Sequence, residues 1–219
     1  MTTATARTTA GILLDIGAIH IRPDEPFTFT SGRLSPVYVD CRKIISFPRA
    51  RAKLMDMAVA LVTEAAGYEA FDAVAGGETA GIPFAAWMAE RMGLSMLYVR
   101  KKSKGFGRNS QIEGDFGDGA RVLLVEDLAT DAGSKHVFLD ALDAAGAKCA
   151  HLFVIFHYGT FPKAIESLND RGVSLHGLAT WADVLEVAPS RGYSADKIGQ
   201  VRSFLADPDA WAEKQSRKA

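Results

Sequence analysis

An α/β fold with a central, mostly parallel sheet flanked by helices, carrying a small N-terminal hood, is predicted by three features of the sequence. Apolar runs of strand length alternate with helical segments from about residue 70 onward, the pattern of βαβ units with right-handed crossovers. One of those runs, Val122-Leu123-Leu124-Val125, is apolar at every position and so suits a central strand covered on both faces. Upstream, FTFTSGRLSPVYVD, Phe27 to Asp40, alternates instead around a Ser31-Gly32 turn and Pro36, as short antiparallel strands do.

Each element follows in chain order. Residues 1–9 are rich in Thr and Ala and are expected to fray. Residues 10–20, AGILLDIGAIH, space their apolar side chains for a short amphipathic helix ending near Gly17, and the alternating segment then forms the hood. PRARAKLMDMAVALVTEAAG opens on Pro48, whose missing N–H has no partner in a first helical turn anyway, and closes on Gly67. AFDAVAGG reads as a strand into a glycine turn, GIPFAAWMAERMG as a helix, and SMLYVRKK and ARVLLVED as strands. GSKHVFLDALDAAGA is a helix, KCAHLFVIFHY a strand, PKAIESLNDRGV a helix and SLHGLATW a last strand, before DPDAWAEKQSRKA, an exposed helical tail. A single domain is expected: helix and hood over 10–47, an α/β core over 48–185 and tail helices over 186–219.

Bulk properties narrow the class. With 25 Lys and Arg against 26 Asp and Glu the formal charge is −1, so no global field draws the chain to nucleic acid or an anionic membrane. No run reaches the ~20 apolar residues that a membrane helix needs. The opening MTTATARTTAGILLDIGAIHI also lacks the basic-then-apolar plan of a signal peptide. Cys41 and Cys149 have no CxxC or Cys/His ligand spacing, which fits a reducing, cytoplasmic setting and argues against structural zinc.

In a parallel sheet the carboxyl ends of the strands share one edge, and ligands bind among the loops that leave it. Four loops qualify. EDLATDAGS, Glu126 to Ser134, joins a strand to a helix, and its small residues leave backbone N–H groups free to hold a phosphate at the helix N-terminus. Thr130 and Ser134 add hydroxyl donors, whereas Glu126 and Asp127 would repel phosphate and suit ribose hydroxyls or a bound Mg²⁺. An ordinary cap by Asp131 or Ser134 would account for one polar residue and not for the acid pair. AGGETAGIP, Ala75 to Pro83, carries Gly76-Gly77, a backbone able to approach a ligand closely and to form a second anion nest. RKKSKGFGRNSQIEGDFGDG, Arg100 to Gly119, is long, basic at its start and short of apolar anchors. It is either a solvated charged hairpin or a mobile lid that lays Lys and Arg on a polyanion. SGRLSPVYVD, in the hood, offers Tyr38 to stack on a planar ligand and Arg33 to bind an anion, although hairpin chemistry alone would look the same. Together the loops describe a site for a phosphorylated sugar and a flat partner; GxxxxGK[ST], GxGxxG after the first strand and GxSxG are all missing.

VLLVEDLATDAGS resembles the phosphoribosyl diphosphate (PRPP) signature of the type I phosphoribosyltransferases. FTFTSGRLSPVYVD, GGETAGIPFA and YVRKKSKGFG narrow the resemblance to the orotate phosphoribosyltransferases, over about residues 11 to 157. The resemblance implies a type I phosphoribosyltransferase fold and transfer of a 5-phosphoribosyl group from PRPP to orotate, giving orotidine 5′-monophosphate and pyrophosphate in pyrimidine (UMP) synthesis. It implies Mg²⁺, bound mainly through PRPP with no protein metal site, and a homodimer in which the lid loop 100–118 reaches the partner subunit's site. Lys104, Arg100 and Asp127 would carry catalysis. PRPP would be held by Glu126 and Asp127 on the ribose hydroxyls and by Leu128, with Ala129, Thr130, Asp131, Ala132, Gly133 and Ser134 around the 5-phosphate. Gly77, Glu78 and Thr79, in the Ala75–Thr79 turn, would hold pyrophosphate with Arg100, Lys101 and Lys104, and Thr30 would help cover PRPP. Orotate would meet Thr130, Tyr38, Arg33 and His157.

The chain departs from the family pattern at three places. Ala132, preceded by Asp131, stands where the signature usually has glycine, and Phe106 stands where many members have a histidine. FHYG, with His157 and Tyr158, follows the strand where some members place an arginine for the orotate carboxylate. Two rivals remain at this stage: a relative acting on a purine or xanthine, which the hood and GGETAGIP disfavour, and a PRPP-sensing regulator, which would need a basic face or winged-helix module.

Overall fold

The computed structural model describes residues 3–28, 32, 34–105, 111–130, 133–160 and 162–216. From the N-terminus, α1 (Thr3–Asp15) leads into four short strands, β1 (Ile19–Ile21), β2 (Phe27–Thr28), β3 (Leu34–Ser35) and β4 (Val37–Val39). β1 pairs antiparallel with β4, and β2 with β3, so the hood is two small ladders. A 3-10 turn (Cys41–Ser46) then delivers the chain to α2 (Pro48–Ala66).

The core alternates as the sequence predicts: β5 (Ala73–Gly77), α3 (Gly81–Met92), β6 (Ser95–Val99), β7 (Ile112–Glu113), β8 (Arg121–Ala129), α4 (Gly133–Ala144), β9 (Lys148–His157), α5 (Pro162–Asn169) and β10 (Ser174–Thr180). These six strands form one sheet in the order β10-β9-β8-β5-β6-β7, parallel except for β7. Because β8 lies inside the sheet between β5 and β9, both its faces are covered: Leu123, Leu124 and Val125 are fully buried. Alternate side chains serve two cores. Leu123 and Val125 join Phe153 and Phe84 on one face, while Leu124 joins Leu152, Phe138 and Leu142 on the other. Fully burying such a side chain contributes about 1.5–3 kcal/mol, so these cores outweigh exposed ion pairs worth about 0–1 kcal/mol each.

Four expectations are corrected. Residues 3–9 do not fray: Ala6 and Thr9 are buried, continuing the inner face of Ala10 and Leu13 back to the first turns of α1. Trp181 does not end β10 but opens α6 (Trp181–Val187), because the Asp183 carboxylate accepts hydrogen bonds from the Thr180 N–H at 2.8 Å and hydroxyl at 2.7 Å, capping that helix. After α7 (Ala195–Ala206), the tail helix α8 (Pro208–Ser216) is not simply exposed, since Trp211 is buried edge-on against Phe204. Finally, the loop after β6 is not structureless throughout: β7 folds back on β6, pairing Tyr98 with Glu113 and Val99 with Ile112.

Candidate active site

The parallel strands β5, β6 and β8 bring their carboxyl ends to one edge of the sheet, where a pocket of about 310 Å³ opens. Its floor is Glu126 and Asp127. β8 does not stop before these acids but continues to Ala129, held by pairing of Leu128 with Phe156 and Ala129 with His157 on β9. One wall is Thr130, just past β8, with Ser134 and Lys135 of the first turn of α4; another is the turn after β5, with Glu78 and Thr79. The Glu78–Thr79 peptide is cis.

The floor is electrostatically unusual. Glu126 is only 6% exposed. Its Oε2 accepts a hydrogen bond from Lys135 Nζ at 2.8 Å, while Oε1 is buried without a hydrogen bond among the described residues. Burial pushes the Glu126 carboxyl above its ordinary range, opposed mainly by Lys135. Burial raises Asp127 too, opposed by Lys135 and then Arg42. Two carboxyl groups side by side suit hydroxyl donors and not a bare anion.

Close packing of α3 on β8 makes this possible. A Cβ at Gly76 would stand 2.7 Å from the Ile82 Cα, and one at Gly77 or Gly81 would run into the Glu126 carboxylate. The glycines of this turn are therefore required by space, not by backbone conformation.

At the rim, the hairpin of β6 and β7 begins beside the pocket. Lys101 lines it, and its backbone N–H donates to Glu78 Oε2 at 2.8 Å, tying hairpin base to turn. Arg100 and Lys104 instead engage Glu113 on their own hairpin, Arg100 Nη1 at 3.5 Å and Lys104 Nζ in a close ion pair. Lys104, the largest influence, holds the Glu113 carboxyl below its usual range.

The sequence model of the family described as "Phosphoribosyl transferase domain" matches residues 46–187. The chain is 59% identical over 210 residues to the orotate phosphoribosyltransferase of Cereibacter sphaeroides, covering 95% of this chain and 90% of that one. It is 56% identical over 209 residues to that of Ruegeria sp., covering 95% and 92%. The chain belongs to the orotate phosphoribosyltransferase family. Among solved structures, the orotate phosphoribosyltransferase from Aeropyrum pernix matches with a TM-score of 0.69 at 29% identity, over 84% of this chain and 99% of that one.

Of the residues singled out from the family signature, Glu78, Thr79, Lys101, Glu126, Asp127, Leu128, Thr130 and Ser134 share the pocket wall. Gly77 lies directly behind it, against Glu126. Ser134 sits inside the first turn of α4, which opens at Gly133, so it is not that helix's N-cap. Ala129 is buried in the core, its carbonyl accepting from the Tyr158 N–H at 3.0 Å. Arg100 and Lys104 are outside the wall, on Glu113. Tyr38 lies in the hood, its ring 5.7 Å from Phe27 and 6.1 Å from His20. His157 is half-buried beside Gly177, and burial lowers its pKa, with Asp183 opposing. Neither Tyr38 nor His157 lines the pocket. Thr30, Ser31, Arg33, Phe106, Asp131 and Ala132 lie outside the described residues.

Sequence reasoning passed over two wall residues, Lys135 and Arg42. Lys135 directly follows the signature and Arg42 lies two residues past the VYVD of the hood, so adjacency was the available signal; a lysine in a first helical turn otherwise reads as solvated. A larger cavity, of about 870 Å³, lies between hood and tail helices near Asp24, Leu34 and Trp211. It holds none of the signature residues, and the chemistry converges on the smaller pocket.

Proposed function

We propose that the pocket at the end of β8 binds PRPP, and that the enzyme transfers its 5-phosphoribosyl group to orotate, giving orotidine 5′-monophosphate and pyrophosphate for UMP synthesis. One observation carries the reading. A pair of buried acids, the hydroxyls of Thr130 just past β8 and of Ser134 in the first turn of α4, and a turn beside a lysine all line one pocket.

The reaction forms a bond from an orotate ring nitrogen, whose N–H proton is released to solvent, to C1 of the ribose, and breaks the bond from C1 to the diphosphate oxygen, which leaves with the electron pair. Positive charge builds on the ribose, so binding, orientation and charge placement supply the catalysis and no protein nucleophile is needed. Glu126 and Asp127 accept hydrogen bonds from the ribose hydroxyls. The N–H groups at the start of α4, with Thr130 and Ser134, hold the 5-phosphate. Glu78, Thr79 and Lys101 flank the diphosphate. Arg100 and Lys104 leave Glu113 to meet the leaving group.

Among the described residues no three His, Cys, Asp or Glu side chains converge as a cation cage. Mg²⁺ would enter on the diphosphate, with Glu126 and Asp127 the paired acids of the same pocket. When bound it would neutralise charge on the leaving group.

The lid is proposed to act across a homodimer, covering the partner subunit's site; an active enzyme that is monomeric by light scattering contradicts this. No helix among the described residues is long and apolar enough to cross a membrane, and a cytoplasmic location accords with the free cysteines. The reading is tested by mixing protein, PRPP and Mg²⁺ with orotate, uracil or xanthine and following base absorbance. Loss with orotate alone is expected; loss with xanthine or uracil instead would reassign the substrate.

A further inference from the structure

Lys135 has no part in the roles assigned above, yet it is 6% exposed in the first turn of α4. Its Nζ donates to Glu126 Oε2 at 2.8 Å and to Ser134 Oγ at 3.2 Å. On the other side of the same carboxylate, a Cβ at Gly81 would stand 2.8 Å from Oε1, and one at Gly77 would stand 2.8 Å from Cδ. The carboxyl group is thus clamped between an ammonium and two glycine backbones.

A cation in a phosphate pocket ordinarily faces the anion, but this one is engaged by an acid. We propose that Lys135 is a positioning residue for PRPP: it fixes the Glu126 carboxylate, ionised and in one orientation, as the acceptor for a ribose hydroxyl, without itself touching the substrate. The inference rests on the reading of the pocket as the PRPP site.

Two physical effects require such a clamp. A carboxylate buried to this depth without a cation takes up a proton, and then presents a donor where the ribose hydroxyl needs an acceptor. A carboxylate freed from its partner also turns about its side-chain torsions, losing placement on which affinity depends. The charges around Glu126 leave Lys135 as its main support. Asp127, next in the strand, favours protonation; Lys101, at the hairpin base, opposes it more weakly than Lys135; Arg42 acts on Asp127.

The test compares wild type with Lys135→Met, Lys135→Arg, Glu126→Gln and the Lys135→Met/Glu126→Gln double variant, by KM and kcat and by calorimetric PRPP affinity. Lys135→Met is expected to raise KM for PRPP about tenfold or more, with KM for orotate within about twofold. Lys135→Arg, which keeps the charge, recovers most of the loss. On the Glu126→Gln background, Lys135→Met changes PRPP affinity less than about twofold, because the group it acts through is already gone. An unchanged KM in Lys135→Met, no recovery by arginine, or a tenfold loss persisting on the Glu126→Gln background overturns the proposal; the last result would mean that Lys135 contacts PRPP directly. Should Lys135→Met fail to fold, the double variant, with both buried charges removed, is compared with Glu126→Gln alone under the same criterion. Wild-type protein that consumes no orotate overturns the underlying reading, whereas wild-type turnover with an indifferent Lys135→Met overturns only the role of Lys135.

Discussion

Gly77 shows how one missing side chain holds the site together. A Cβ there would strike Glu126 Oε1 and stand 2.6 Å from Phe138 Cε2, a ring locked in the core. Neither neighbour can move cheaply: the carboxylate is bound to Lys135 and the ring is fully buried. Gly77→Ala is therefore expected to cost about 1–3 kcal/mol of stability and to weaken PRPP binding with it. Thermal melts and PRPP titration check both, and wild-type values in each would contradict the packing described. Glycine in GGETAGIP was readable as a close-approach residue; that the approaching group is a carboxylate from the next strand was not, because only the sheet order β8-β5 brings them together. Lys135 escaped for the same reason. Its residue type argues for solvent, and its burial is decided by where α4 lands on β8.

At the scale of elements, β5 and β8 are registered at their starts by Asp72 and Arg121. The Asp72 carboxylate accepts from the Arg121 N–H at 2.8 Å, from Nε at 3.0 Å and from Nη2 at 2.7 Å, while the Asp72 N–H donates to the Arg121 carbonyl at 2.8 Å. Hydrogen bonds from Arg121 lower the Asp72 pKa from 3.8 to about 2. A folded-state pKa depressed in this way contributes stability that is present above the unfolded value and lost as pH falls through the folded one. Asp72→Asn is thus expected to lower the melting temperature at pH 7, with the gap to wild type closing as pH falls from 3.8 toward about 2; a gap independent of pH would refute the assignment. The long elements were legible from periodicity. β7, with two residues, carries no periodic signal, and the extension of β8 through Glu126 to Ala129 comes from pairing with β9 rather than from local preference. The first turns of α1 likewise carry Ala and Thr around Arg7 and no large apolar residue, and their burial depends on the neighbouring helix α6 and strand β10.

For the whole molecule, the pocket gathers residues from the hood side, the turn after β5, the hairpin base, β8 and α4. Most of these residues lie together in the signature and the AGGETAGIP turn, so their grouping was legible in the sequence. Arg100 and Lys104 belong to the same reading, yet they face Glu113 and not the pocket. Arg100 and Glu113 are half-buried and Lys104 is exposed, a setting in which ion pairs are weak enough for a diphosphate to displace. The central claim is that Glu126 and Asp127, near the end of β8, hold the ribose of PRPP. Calorimetric titration of PRPP with Mg²⁺ into wild type and Asp127→Asn tests it most directly. Loss of a charge-assisted hydrogen bond, about 1.5–3 kcal/mol, predicts affinity weakened roughly ten- to hundredfold, whereas equal affinity in the two proteins would contradict the account.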